Sequence, residues 1–114
     1  MTRRLCRVDE IAEPGGRSVA MAGDDGAVVD VVVVCWRGLV RAYRNACPHV
    51  GTPLETLPDR FFTRAGNHLL CTTHGARFDP GSGLCVAGPC LGARLPPVAI
   101  RVDGGDVVLA EALS

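Results

Sequence analysis

The hydrophobic pattern is dominated by one run, Val28-Val29-Asp30-Val31-Val32-Val33-Val34, in which six β-branched residues surround a single carboxylate. It is far shorter than the roughly 20 residues a membrane-spanning helix needs, so it does not read as a membrane span. β-branched side chains are stiff at χ1 and suit a pleated surface, and the run therefore predicts a buried strand. Ala27 to Trp36 and Leu39 to Asn45 form two β-rich stretches around Arg37-Gly38, a short hairpin connection. A third short strand is predicted from His68 to Cys71. Val98-Ala99-Ile100-Arg101-Val102 and Val107-Val108-Leu109 flank Asp103-Gly104-Gly105-Asp106, the clearest hairpin in the chain. Helical periodicity is weak throughout and no internal repeat is present. The pattern predicts an all-β fold, an antiparallel sandwich or open barrel.

Composition narrows the class. At 114 residues, residues 1–114 are expected to form one domain, and the 47% apolar fraction is ordinary for a globular core. All twelve cations are arginines, balanced by twelve acids with no block of either sign. No basic stripe for nucleic acid stands out, and a 4% aromatic content leaves little to stack on bases or membrane headgroups. The first residues turn polar at Arg7 and Asp9 before a signal-like apolar segment forms, so a soluble, cytoplasmic protein is expected, with no nucleic-acid or membrane partner.

The candidate chemistry lies in two mixed pairs, Cys47-Pro48-His49 and Cys71-Thr72-Thr73-His74. Each offers one thiolate and one imidazole on a short stretch, and together they make a four-point metal site. Two sulfurs and two nitrogens suit a tetrahedral zinc or a 2Fe-2S cluster with histidines on one iron. Zinc motifs commonly pair like with like, whereas each half-site here is mixed, which favours the cluster. A zinc-stabilised interaction module is the alternative.

The residues around these pairs resemble the Rieske 2Fe-2S family over nearly the whole chain. Asn45-Ala46-Cys47-Pro48-His49-Val50-Gly51-Thr52-Pro53-Leu54 is similar to that family's first cluster loop, Cys71 to Asp79 to its second, and Gly83-Leu84-Cys85-Val86-Ala87-Gly88-Pro89 to its proline-bearing third. The resemblance implies one 2Fe-2S cluster per chain, held by Cys47, His49, Cys71 and His74, in a small subdomain of about residues 45–91. The 21 residues between His49 and Cys71 exceed the family's usual spacing. Glu55 to Asn67 are read as an inserted surface excursion. Glycines 51, 75 and 88 are expected to let backbone amides approach the cluster sulfurs. Thr52 and Thr73 stand where respiratory-type members carry a disulfide. Ala76 and Phe78 stand where those members place hydroxyl donors that raise the potential. A midpoint in the lower part of the range from about −150 to +300 mV is therefore expected.

Such a centre is expected to work as a one-electron carrier, a ferredoxin linking a flavin reductase to a terminal oxygenase, with no small-molecule substrate of its own. A Rieske oxygenase also needs a mononuclear iron on two histidines and a carboxylate, and the two proposed ligand histidines leave only His68. The alternatives are a small electron-transfer subunit of a larger reductase, such as nitrite reductase, and an iron-sulfur redox sensor. Imidazole titration at His49 and His74 would make the potential fall at alkaline pH. Of the remaining residues, Cys6 and Cys35 read as inert buried thiols and His68 as structural or surface. Cys85 and Cys90 read as thiols held apart by their turn. Phe61 and Phe62 read as a local mini-core within the insertion, or as a partner-docking patch.

Overall fold

The computed structural model describes residues 4–23, 26–46, 61–71 and 75–111. Among these residues nine strands follow in chain order: β1 (Arg4–Arg7), β2 (Gly15–Ala22), β3 (Val28–Trp36), β4 (Leu39–Arg44), β5 (Leu69–Leu70), β6 (Arg77–Phe78), β7 (Cys85–Ala87), β8 (Ile100–Asp103) and β9 (Asp106–Leu109). A single 3-10 turn, Val8–Glu10, follows β1, and no α-helix occurs among the described residues. Pairing is antiparallel throughout and gives three three-stranded sheets, ordered β1-β9-β8, β2-β3-β4 and β5-β6-β7.

The valine run is continuous because β3 is covered on both faces. Val32 and Val34 turn toward a cluster with Tyr43, Phe61, Leu69, Cys71, Ala76, Phe78, Cys85, Cys90 and Leu95. Val31, Val33 and Cys35 turn the other way, into a cluster with Leu5, Cys6, Ile11, Ala42, Val98, Val107 and Leu109. A strand with one wet face alternates apolar and polar residues; a strand with none need not. Val31 to Val34 are all but completely buried, and burying each contributes about 1.5 to 3 kcal/mol. The β2-β3-β4 sheet is thus the middle layer. The β1-β9-β8 sheet lies on one side of it and the β5-β6-β7 sheet, which carries the candidate centre, on the other.

The hairpins joining the long strands have the expected backbone. Gly104 and Gly105 both have positive φ, 57° and 86°, between the paired Asp103 and Asp106, the conformation a two-residue primed turn requires. Arg37 (φ 49°) and Gly38 (φ 79°) do the same between Trp36 and Leu39, and the Arg37 guanidinium lies 4.7 Å over the Trp36 ring. Strand β2 carried no legible signal, since Gly15, Gly16, Arg17 and Ser18 are poor strand formers. It exists because all eight of its residues pair with β3.

The described end of the insertion departs from expectation. Phe61 is 1% exposed and sits in the main core, where it packs against Gly16 and the cluster around Val34. It forms neither a separate mini-core nor a docking patch. Its carbonyl accepts from the Leu70 amide at 2.7 Å, Phe62 bridges to Leu69, and the Thr63 amide donates to His68. Phe61 to His68 therefore extend the third sheet as a hairpin. Residues 55–60 lie outside the described residues.

Candidate metal centre

The second candidate ligand loop is the loop of a hairpin. Leu69 pairs with Phe78 and Leu70 with Arg77, after which the Cys71 amide donates to the Ala76 carbonyl at 2.8 Å and the Gly75 amide to the Cys71 carbonyl at 2.7 Å. Gly75 has φ +73°, which glycine adopts without penalty. Cys71 is completely buried, with Ala76, Phe78, Cys85 and Leu95 in the same apolar cluster. Cys47, His49 and His74 lie outside the described residues, as do Gly51, Thr52 and Thr73. Of the four proposed ligands, the structure therefore places Cys71 alone.

The entry to the first loop is pinned from the middle sheet. Asn45, 5% exposed, donates its amide N–H to the Asp30 carbonyl at 2.8 Å and its side-chain Nδ2 to Asp30 Oδ2 at 3.0 Å. Asp30 Oδ1 accepts from Ser18 Oγ, so the one acid in the valine run ties β2, β3 and the chain just before Cys47 together. Asp30→Ala takes a charged acceptor from a buried amide, a loss worth about 1 to 3 kcal/mol. The variant should be less stable by that amount and release bound metal to a chelator faster than Ser18→Ala, which leaves the Asn45 contact intact. Equal behaviour of the two variants would show that the Asp30–Asn45 contact does not anchor the loop.

The third loop folds back onto the second. Strand order brings the residues after β7 to the same end of the small sheet as the Cys71–Ala76 loop. A Cβ added to Gly88 would lie 2.7 Å from the Ala76 Cα, and Gly88 itself has φ +100°. At the opposite end the β6–β7 turn is closed by Asp79 Oδ2, which accepts from the Ser82 amide at 3.0 Å and the Ser82 hydroxyl at 2.7 Å. Tyr43 fastens that turn to the middle sheet: its hydroxyl donates to the Pro80 carbonyl at 2.7 Å. Gly83 must be small, because a Cβ there would lie 2.8 Å from the Tyr43 ring.

Burial pushes the Tyr43 phenol up to about 12 from 10.0, with Arg41 pulling it down and Asp79 up. The unfolded chain thus ionises first. The stability from the neutral phenol is full below pH 10 and is lost as pH rises toward about 12. Tyr43→Phe should cost about 1 to 3 kcal/mol at neutral pH by leaving the Pro80 carbonyl without its donor. That gap should shrink above pH 10, and urea unfolding of both proteins at pH 7 and pH 11 measures it. A gap of constant size would refute the assignment.

The described donor environment fits a cluster. A wholly buried thiol, a backbone-tight hairpin loop and a glycine pressed against it suit a compact sulfur-ligated group that excludes water. Ala76 and Phe78 are both completely buried, and neither side chain carries a hydroxyl. His68 is half-buried, with Nδ1 3.1 Å from Asn67 Oδ1, in keeping with a surface role. Cys6 and Cys35 are buried in the cluster on the far side of the middle sheet, and burial raises both thiols. Cys85 and Cys90 are closer than expected, with sulfurs 2.9 Å apart. The Asp30–Asn45 and Tyr43–Pro80 contacts escaped the sequence reading; the lone acid among valines was the available signal for the first. A cleft of about 300 Å³ is lined by Glu13, Pro14, Trp36, Arg37, Ala65 and Gly66, beside the turn between β3 and β4.

The family model of the Rieske [2Fe-2S] domain matches residues 2–109. The oxidoreductase NdmD of Pseudomonas putida is 39% identical over 71 residues, which are 60% of this chain and 11% of that protein. Among solved structures, the ferredoxin of carbazole 1,9a-dioxygenase from Nocardioides aromaticivorans IC177 superposes with a TM-score of 0.70 at 24% identity, covering 96% of this chain and 97% of that one. The Sphingomonas yanoikuyae B1 ferredoxin gives 0.70 at 23%, covering 97% and 99%. The terminal oxygenase of the Nocardioides system gives 0.76 at 22% identity, with 99% of this chain matched to 30% of that one. The likeness to the three structures is one of fold.

Proposed function

Because this chain belongs to the Rieske [2Fe-2S] domain family, we propose that it is a one-electron carrier, a ferredoxin-like protein holding one cluster through Cys47, His49, Cys71 and His74. The single observation that supports this best is the buried Cys71 in a hairpin loop with Gly88 of the third loop packed against it. When bound, such a cluster supplies reversible one-electron exchange at iron. The chain's own residues do the rest. Cys71 and Cys47 give thiolates, His49 and His74 give neutral imidazoles, and the apolar packing of Ala76 and Phe78 keeps hydroxyl donors from the sulfurs. That lack favours the oxidised state and a midpoint in the lower part of the span from about −150 to +300 mV.

Its partners are redox proteins: a flavin reductase as donor and a terminal oxygenase as acceptor, met in the cytoplasm. One of the similar solved structures is a complex of reduced oxygenase and oxidised ferredoxin in carbazole 1,9a-dioxygenase. Val86 and Leu91, 41% and 69% exposed, flank Gly88-Pro89 and give this end of the molecule an apolar contact surface for brief docking. Among the described residues, no helix is long and apolar enough to cross a membrane.

The deciding experiment is EPR of the dithionite-reduced protein with a redox titration. A rhombic signal of the histidine-ligated type, lost in Cys71→Ala, with a midpoint below zero, is the expected result. A silent spectrum with bound zinc would replace the carrier by an interaction module, and a midpoint above zero would remove the low-potential argument. A second reading rests on the NdmD match, of which this chain spans 11%: the same fold serving as the electron-transfer module of a larger oxidoreductase. Co-migration with a large subunit on size exclusion of a lysate would favour it.

A further inference from the structure

The third loop carries two thiols that the cluster reading leaves without a task. Cys85 lies at the start of β7, its amide donating to the Ala93 carbonyl at 2.8 Å and its carbonyl accepting from the Gly92 amide at 3.1 Å. Cys90 is held in the same turn, its carbonyl accepting from the Ala93 amide at 2.8 Å. The two Sγ atoms are 2.9 Å apart, Cys90 donating toward Cys85, whose own hydrogen is aimed at the Ala87 carbonyl at 3.2 Å. A disulfide needs an S–S bond of about 2.05 Å, so the sulfurs have under about 1 Å to travel. Backbone hydrogen bonds, rather than a chance rotamer, hold the two residues opposite one another. Gly88 lies inside the loop they would close and is the residue pressed against Ala76.

We propose that Cys85 and Cys90 are a reversible dithiol–disulfide site, a second redox centre whose oxidation fastens the third loop over the second ligand loop. The oxidant is a small-molecule disulfide. Cys90, 8% exposed against 1% for Cys85, attacks first as its thiolate. Its sulfur bonds to one sulfur of the oxidant, the oxidant's S–S bond breaks, and the first small thiol leaves. The Cys85 thiolate then attacks Cys90 Sγ, breaks the mixed disulfide and expels the second small thiol. The two protons lost by the cysteines end on the two released thiols, and two electrons pass from the pair to the oxidant. Closing the six-residue loop removes conformations in which Gly88-Pro89 lifts away from Ala76. The effect on the cluster rests on the carrier reading; the thiol chemistry does not.

The test uses the cluster-loaded protein, equilibrated anaerobically in reduced and oxidised glutathione at varied ratios, quenched with acid, alkylated and cut with trypsin. The peptide Phe78–Arg94 contains Cys85 and Cys90 and no other cysteine. It should pass from doubly alkylated to an unalkylated form two hydrogens lighter as the buffer becomes more oxidising, and return on adding dithiothreitol. In Cys85→Ser, Cys90 should stop at the glutathione adduct, and Cys90→Ser serves if that variant fails to fold. Full alkylation at every ratio, or a disulfide that dithiothreitol leaves intact in the folded protein, would overturn the site. Bleaching of cluster absorbance by a chelator should be several-fold slower in the oxidised form; equal rates would overturn the fastening. Should the protein prove to hold no cluster, the peptide shift still decides the thiol chemistry.

Discussion

Gly88→Val is expected to destabilise the protein by about 2 to 6 kcal/mol and to strip it of its cluster, because two independent costs meet at one residue. The backbone sits at φ +100°, where a β-branched side chain is strained by about 1 to 3 kcal/mol. The new Cβ would lie 2.7 Å from the Ala76 Cα and 3.2 Å from its nitrogen, atoms of a residue with no exposed surface and no room to yield. Overpacking of that kind adds a further 1 to 3 kcal/mol or so. Gly92→Ala separates the two costs. Its φ is +89° but nothing lies within 4 Å of the added carbon, so only the backbone term of about 1 to 2 kcal/mol applies. Urea unfolding and the visible absorbance retained after purification report on both variants. If Gly88→Val behaves like Gly92→Ala, the third loop does not press on the second, and the cap assigned to it is wrong.

Phe61→Ala should cost about 3 to 5 kcal/mol, the range for removing a fully buried aromatic ring. Its ring fills the space that Gly16 leaves open: a Cβ on Gly16 would stand 2.8 Å from Phe61 Cδ2 and 3.3 Å from Val34 Cγ1. The residue sits on the chain that pairs with β5, and β5 leads straight into Cys71, so the loss should also loosen the second ligand loop. Phe62→Ala, at a partly buried neighbour, should cost distinctly less. Chemical denaturation compares the two variants. A penalty under about 1 kcal/mol for Phe61→Ala would return this segment to the status of a surface excursion.

The contrast between these sites shows what a linear reading could reach. The strand leading into Cys71 is legible because its apolar residues are local, and the type and spacing of Cys71 and His74 suggest a metal site without any knowledge of packing. Phe61 was misjudged because its neighbours in sequence are charged and turn-forming, while its neighbours in space are Gly16 and Val34. Spacing alone suggests that the turn holds Cys85 and Cys90 apart, whereas backbone pairing brings their sulfurs to 2.9 Å.

By itself the sequence determined the strand-forming valine run, the Arg37-Gly38 and Gly104-Gly105 turns and the all-β class, since each follows from χ1 stiffness or positive φ within a few residues, and donor chemistry made Cys47, His49, Cys71 and His74 its candidate ligands. Only the tertiary structure decided that β3 is covered on both faces, that Gly15–Ala22 is a strand, and that Asp30 holds Asn45 while Tyr43 holds Pro80. It alone set Gly88 against Ala76. Those contacts join residues far apart in the chain, and their energy comes from burial and from satisfied buried polar groups, which exist only once the layers have closed.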